Sequence, residues 1–234
     1  MLADSIVVGG RRTSSVLLDH SRLIDFILRQ LADWRRHGDR RAVAAEVRLN
    51  AQLCAFLNMR ASLDFDVVSF QTEFPDELKG NRSFDIAVVP RRPRVTVSGR
   101  GYSLYDAILP IECKRMPTPV GPDRQREEYV YTMQGVGGGI QRYKVAVHGA
   151  RHSIAALIGY VQDDVDFEQW RNAINTWIGG APEATGIVRS ETLGPMSVCD
   201  EEGITCRASS SHSRDSLSDI TIHHLWVAMN DSEG

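Results

Sequence analysis

Lysine is scarce in this chain: Lys79, Lys114 and Lys144 stand against 24 arginines. Cysteine is nearly as rare. Cys54, Cys113, Cys199 and Cys206 are too few and too widely spaced for a disulfide framework in 234 residues, so reduced thiols are expected. Cys199 and Cys206 with His223 and His224 lack the close ligand pairing of a zinc site, and packed cysteines are the preferred reading. Long hydrophobic runs are missing as well: no stretch approaches the roughly 18–20 apolar residues of a membrane span. The N-terminus lacks the basic-then-apolar layout of a signal peptide, so no membrane partner and a cytoplasmic location are expected. Internal repeats are absent. What remains is ordinary globular composition, 42% hydrophobic and 24% charged, at a length that one domain over 1–234 accommodates.

The net charge of −3 is unevenly distributed. Residues 161–234 carry 13 acids and 4 bases, which leaves residues 1–160 net +6. Within the basic part, Arg82, Arg91, Arg92, Arg94 and Arg100 share a stretch whose only acid is Asp85. Such a cluster suits phosphate contacts, although a solvated arginine-rich loop explains it equally well.

Apolar residues recur at helical spacing from Val16 to Trp34, and again from a helix start near Asp39, read as an N-cap, to Leu63. Residues 65–74 change to β-branched and aromatic composition and predict a strand; PDELKGN (75–81) is a turn, and SFDIAVV (83–89) a second strand. Residues 94–114 predict a hairpin excursion leading into a third strand that ends in PIECK. DRQREEYVYTM (123–133) has helical composition, and the tract GVGGG interrupts it, read as a hinge in preference to a packing point or a phosphate cradle. SIAALIGYV predicts a buried strand, FEQWRNAINTWI an amphipathic helix with Trp170 and Trp177 in the core, the serine-rich ASSSHSRDS a loop, and ITIHHLWVAM a last strand. The order helix, helix, strand, strand, strand, helix, strand, helix, strand describes an α/β domain.

Residues two apart on a strand share a face, so Glu112 and Lys114 emerge together while Ile111 and Cys113 point away. Asp85 lies on a neighbouring strand in apolar surroundings, where an unpaired charge is costly, so it needs a cation nearby. Two converging carboxylates with a backbone carbonyl make a hard oxygen site suited to magnesium. A composition that otherwise uses arginine keeps lysine at position 114, where a compact ammonium can orient or deprotonate a water.

The series Glu46 on a helix, Asp85 on a strand, Glu112-Cys113-Lys114 on the next and then a helix resembles the PD-(D/E)XK nuclease superfamily, from Asp39 to Val161, about half of the chain. The resemblance implies a restriction-endonuclease-like αβββαβ core with a central mixed sheet flanked by helices, residues 162–234 forming a C-terminal extension. It implies that Asp85, Glu112 and the carbonyl of Cys113 ligate Mg2+, with Mn2+ able to substitute, that Glu46 stands beside the metal, and that Lys114 positions the attacking water. GGGIQRYK looks like the polar motif some members carry on the following helix, which implies Gln141 as a site residue and Arg142 and Lys144 as phosphate contacts beside Arg82, Arg91 and Arg92. Phe84 occupies the place of the motif's proline. The implied activity is a DNA endonuclease leaving 5′-phosphate and 3′-hydroxyl ends, in bacterial defence or restriction, as a homodimer or with a partner defence subunit. Two other readings compete: a catalytically inactive nucleic-acid-binding or assembly module, and a nuclease for RNA. Taken singly, Asp85 and Lys114 can be a structural ion pair, Glu112 and Glu46 surface acids, and His148, His152, His223 and His224, which lack the spacing of a catalytic pair, core or surface residues.

Overall fold

The computed structural model describes residues 18–76, 82–121 and 124–230. Part of the expected PDELKGN turn, with Lys79, and the start of the first helix at Val16 lie outside them. Helix α1 (His20–Arg36) begins where Asp19 accepts a hydrogen bond from the Arg22 N–H at 2.8 Å and ends with Arg35 and Arg36 in its last turn. These features match an N-cap and a cation at the negative end of the helix dipole. Its inward stripe, including Leu23, Ile27, Leu31 and Trp34, is buried.

Helix α2 (Glu46–Asp64) starts seven residues later than the sequence expectation at Asp39. The Gln52 amide bonds both backbone groups of Arg41, and Ala44 O accepts from Arg115 and Gln162. With the polar backbone groups of Arg41 and Ala44 taken up by side chains, residues 41–45 form no helical turn.

The main sheet has seven strands in the order β1 (Val68–Pro75), β2 (Ser83–Pro90), β5 (Leu109–Met116), β6 (Ile154–Val161), β9 (Ile220–Ala228), β8 (Thr205–His212) and β7 (Ser197–Val198). Strands β3 (Arg94–Val97) and β4 (Arg100–Ser103) form a separate hairpin. The β1–β2 and β2–β5 pairs are antiparallel, β5–β6 and β6–β9 parallel, β9–β8 and β8–β7 antiparallel. The parallel centre explains why β5 and β6 are buried along nearly their whole length: both faces are covered. Helices α1 and α2 pack on one face over Ile111, Cys113 and Ile158. On the other, α3 (Gly139–Lys144) and α4 (Phe167–Gly179) cover Leu157, Ile222 and Trp226. Among the described residues no helix is long and apolar enough to cross a membrane.

Three further sequence expectations are corrected. Residues 124–133 form turns, not a helix. The carbonyls of Glu128, Tyr129 and Val130 accept from the N–H groups of Gly139, Ile140 and Gln141, so they cap the start of α3 instead of serving a helix of their own. This close approach explains the glycines: a Cβ on Gly138 would lie 2.2 Å from Tyr131 Cα. The tract is thus a packing point. The serine-rich segment is a strand over its first five residues, 208–212, because β8 pairs with β9 over eight positions and buries alternate residues, Ser210 among them; 213–216 form the expected loop.

Candidate active site

The β2–β5 ladder contains three pairs, Val88↔Leu109, Ala87↔Pro110 and Ile86↔Ile111, and stops where Asp85 would face Glu112. Both strands continue beyond that point, β2 beside β1 to Ser83 and β5 beside β6 to Met116. The sheet therefore splits, and the β5 amides turned towards β2 lose their strand partners. Carboxylates replace them: Asp85 Oδ2 accepts from the Cys113 N–H at 2.7 Å, and Glu46 Oε2 from the Arg115 N–H at 3.2 Å. Glu46 reaches this edge from the first turn of α2.

Glu112 and Lys114 share the opposite face of β5 from Cys113, whose thiol lies in the core beside Tyr160. Glu112 is fully buried and both its oxygens are engaged, Oε2 by Arg142 Nη1 at 2.7 Å and Oε1 by His148 Nδ1 at 2.7 Å. Lys114 is 6% exposed. Among the described residues its ammonium has no hydrogen bond and no ion pair within 4.0 Å, yet its charge acts on both Asp85 and Glu112.

These surroundings drive the two acids apart. Burial, and then the field of Glu112, push the Asp85 carboxyl up to about 8, against the opposing pull of Lys114 and the Cys113 N–H. Burial acts the same way on Glu112, but His148, Arg142 and Lys114 outweigh it and hold that carboxyl below its ordinary range. Asp85 is a carboxyl short of positive charge, with one oxygen free of any hydrogen bond. The groups that could contribute to the shell of a hard divalent cation here are Asp85 and the Cys113 carbonyl, and Glu112 could join them only on release of Arg142 or His148. Among the described residues no cluster of three or more His, Cys, Asp or Glu side chains forms a metal cage, either here or around Cys199, Cys206, His223 and His224.

Of the other expected site residues, Arg142 and Arg82 lie near the cluster. Arg82 bonds Val147 O, next to His148, at 3.4 Å. Gln141 does not join it: Oε1 accepts from the N–H groups of Thr132 and Gly138, and Nε2 donates to Thr185 O. It is a buried brace for the turns around α3. Lys144 is also diverted, into Glu191 and Ser213 at 2.9 and 3.0 Å. Arg91 and Arg92 follow the far end of β2, six or more residues beyond Asp85 and hence about 20 Å along the strand. Arg92 pairs with Asp66, and Arg100 lies over Tyr102. Arg91 and Arg92 are therefore separated from the carboxylates, and of the arginine cluster Arg82 is the member that lies near them.

From sequence, His148 has only a core or surface role, yet it holds Glu112. It sits in the turn after α3, where its N–H bonds Arg142 O, so Arg142 and His148 converge on Glu112 only because the turn folds back on the helix. No periodic signal marks that position. Comparison of the chain with protein-family models, with curated proteins and with solved structures finds no match.

Proposed function

We propose that this chain is a metal-dependent nuclease of the PD-(D/E)XK kind that hydrolyses phosphodiester bonds of DNA, with Asp85, Glu112 and Lys114 at its centre. The observation that carries the reading is the opening of the β2–β5 ladder at Asp85 and Glu112, beside a buried lysine with no ion-pair partner. A purely structural trio would close into ion pairs, since an isolated buried charge is costly. The element order supports it too: α2, then the antiparallel β1, β2 and β5, then α3 and the parallel β6 follow the αβββαβ order of a restriction-endonuclease-like core.

In this reading Asp85, Glu112 and the Cys113 carbonyl hold Mg2+, and Glu46 adds negative charge at the same edge. The ion, when bound, lowers the pKa of a water and offsets charge developing on phosphorus. Lys114 orients the attacking water through its free ammonium protons and adds a second positive charge beside the phosphate. Cys113 Sγ, facing the apolar core, takes no part.

The test is cleavage of plasmid DNA by the purified chain with Mg2+ and with EDTA, with RNA and single-stranded DNA assayed in parallel. Lys114→Ala and Asp85→Ala should each lower the rate by at least about 100-fold, the scale of a removed charge-stabilising or acid–base group. Cutting at the parent rate by both variants would sink the assignment. One observation favours the competing reading of a binding module without turnover: Arg142 and His148 occupy both oxygens of Glu112. Salt-sensitive DNA binding with no metal-dependent cleavage would decide for it.

A further inference from the structure

A polar cavity of about 470 Å3 opens beside the carboxylate cluster. Its walls are Arg124, Gln125, Glu128 and Thr132 from the turns before α3, Gly137 from the glycine tract and Arg142 from α3. One contact and one longer-range charge effect join it to the site. Arg142 reaches from the cavity wall to Glu112, and the charge of Arg124 acts on Glu46 while its guanidinium pairs with Glu128 at 2.6 Å. Both cations are thus balanced by carboxylates of the protein itself. A guest that displaces such pairings has to be an anion, and one with several oxygens matches the fork of a guanidinium.

We propose that this cavity receives a phosphate of the nucleic-acid strand adjoining the one that is cut, and that Arg142 exchanges Glu112 for that phosphate, freeing Glu112 to ligate the metal. The inference rests on the nuclease reading above. Glu112 has no oxygen to give a cation while Arg142 and His148 both hold it. Of the two holders, His148 is buried, packed edge-on against Phe84 and tied through its N–H to Arg142 O. Arg142 has a long side chain, 27% exposed at the cavity. It is the partner able to leave. Strand and metal then bind cooperatively, each strengthening the other by the same factor. Without a strand, a cation has to compete with the Arg142 guanidinium for the same oxygen.

Mn2+ affinity tests this through the electron paramagnetic resonance signal of the free ion, measured on the full chain with and without a short DNA duplex. Lys114→Ala in every protein compared prevents turnover. The duplex should tighten Mn2+ binding roughly 10-fold or more, within the range of coupling between sites. Arg142→Ala should bind Mn2+ tightly without duplex and gain less than about 2-fold from it, the coupling being lost with the exchanging group. Arg142→Lys, which keeps the charge and loses the fork, should fall between and guards against misfolding of the alanine variant. Arg124→Gln should leave the Mn2+ affinity of the free protein unchanged, weaken duplex binding and reduce its salt slope by about 1. An unchanged Mn2+ affinity on adding duplex, or full coupling retained in Arg142→Ala, overturns the exchange while the nuclease reading stands. Mn2+ binding to no form, with or without duplex, overturns both. A deoxynucleoside 5′-monophosphate that tightens Mn2+ binding as well as the duplex does would overturn the strand assignment in favour of a terminal phosphate.

Discussion

At the scale of single residues, Lys114 and Asp85 differ in what surrounds them although they border the same gap. Lys114 has no direct partner among the described residues, whereas Asp85 accepts from the Cys113 N–H and has its carboxyl raised to about 8. A carboxyl raised on folding holds a proton that the unfolded chain, with an ordinary value near 4, has released. Its stabilising contribution is therefore full below about pH 4 and is lost as pH rises towards 8. Asp85→Asn keeps an oxygen for the Cys113 N–H and removes the titration. In EDTA it should match the parent at pH 4 and exceed it at pH 9 by about 1–3 kcal/mol in urea unfolding, the scale of relieving an uncompensated buried charge. Parallel stability profiles for the two proteins would rule this account out. The alternation that puts Glu112 and Lys114 on one face was legible from PIECK alone. The Arg142 and His148 contacts to Glu112 were not, because they bring together residues some 30 positions apart in sequence.

At the scale of elements, the informative region is the junction between the 124–133 turns and α3. Three carbonyls of the first meet three amides of the second, and Gly138 and Gly139 leave no side chain between the two backbones. Gly138→Ala puts a methyl group against the Tyr131 backbone, which cannot rotate away. A loss of about 3 kcal/mol is expected, at the upper end for overpacking, or roughly 6–12 °C in melting temperature for a chain of this size. A melting temperature within a degree or two of the parent would show that the junction yields. Sequence composition misled here for a physical reason: Glu, Tyr and Val in that segment fit a helix or a buried turn, and tertiary capping decides between them. Apolar, β-branched runs bounded by breakers marked β2, β5 and β6 closely. They did not mark β8, since Ser210 and His212 occupy inward positions beside only the small Cys206 and Ala208.

At the scale of the whole molecule, those inward positions of β8 belong to a hydrogen-bonded line that crosses the interior. Trp226 donates to Tyr129 at 2.7 Å, Tyr129 Oη lies 2.8 Å from His224 Nδ1, and Ser210 Oγ joins His224 Nε2 at 2.8 Å to His212 Nε2 at 2.7 Å. His212 Nδ1 then meets Glu191 at 3.0 Å, and Lys144 holds the other Glu191 oxygen. An indole only donates and a carboxylate only accepts, and if the buried Tyr129 O–H is also to find an acceptor in the line, His224 Nδ1 accepts it and both histidines are neutral. Burial lowers the affinity of both for a proton, aided at His224 by His212 and His223 and opposed at His212 by Glu191. A histidine lowered on folding contributes stability above its ordinary value near 6.5 and loses it as pH falls below that. His152, taken down to about 4 by burial and then by Arg100, adds to the same trend. On the Asp85→Asn background, which removes the opposite trend of Asp85, unfolding free energy should therefore decline from pH 7 to pH 5 by about 2 kcal/mol in all for each histidine that stays neutral. Urea titrations giving equal stability at both values would refute it. The line was invisible in the sequence, where His212, His224, Tyr129 and Glu191 share no spacing.

Strand β9, the last in sequence, is third from one edge of the sheet and shares eight ladder positions with β6. The expected core of residues 39–161 ends at β6. A fragment cut there would carry a naked, apolar margin with a row of unmet amides and carbonyls, the template on which chains add to one another. Such a fragment should elute as aggregates from gel filtration while the full chain does not. Residues that look like an appendage when the gene is read from its start thus serve as the barrier that keeps neighbouring molecules separate.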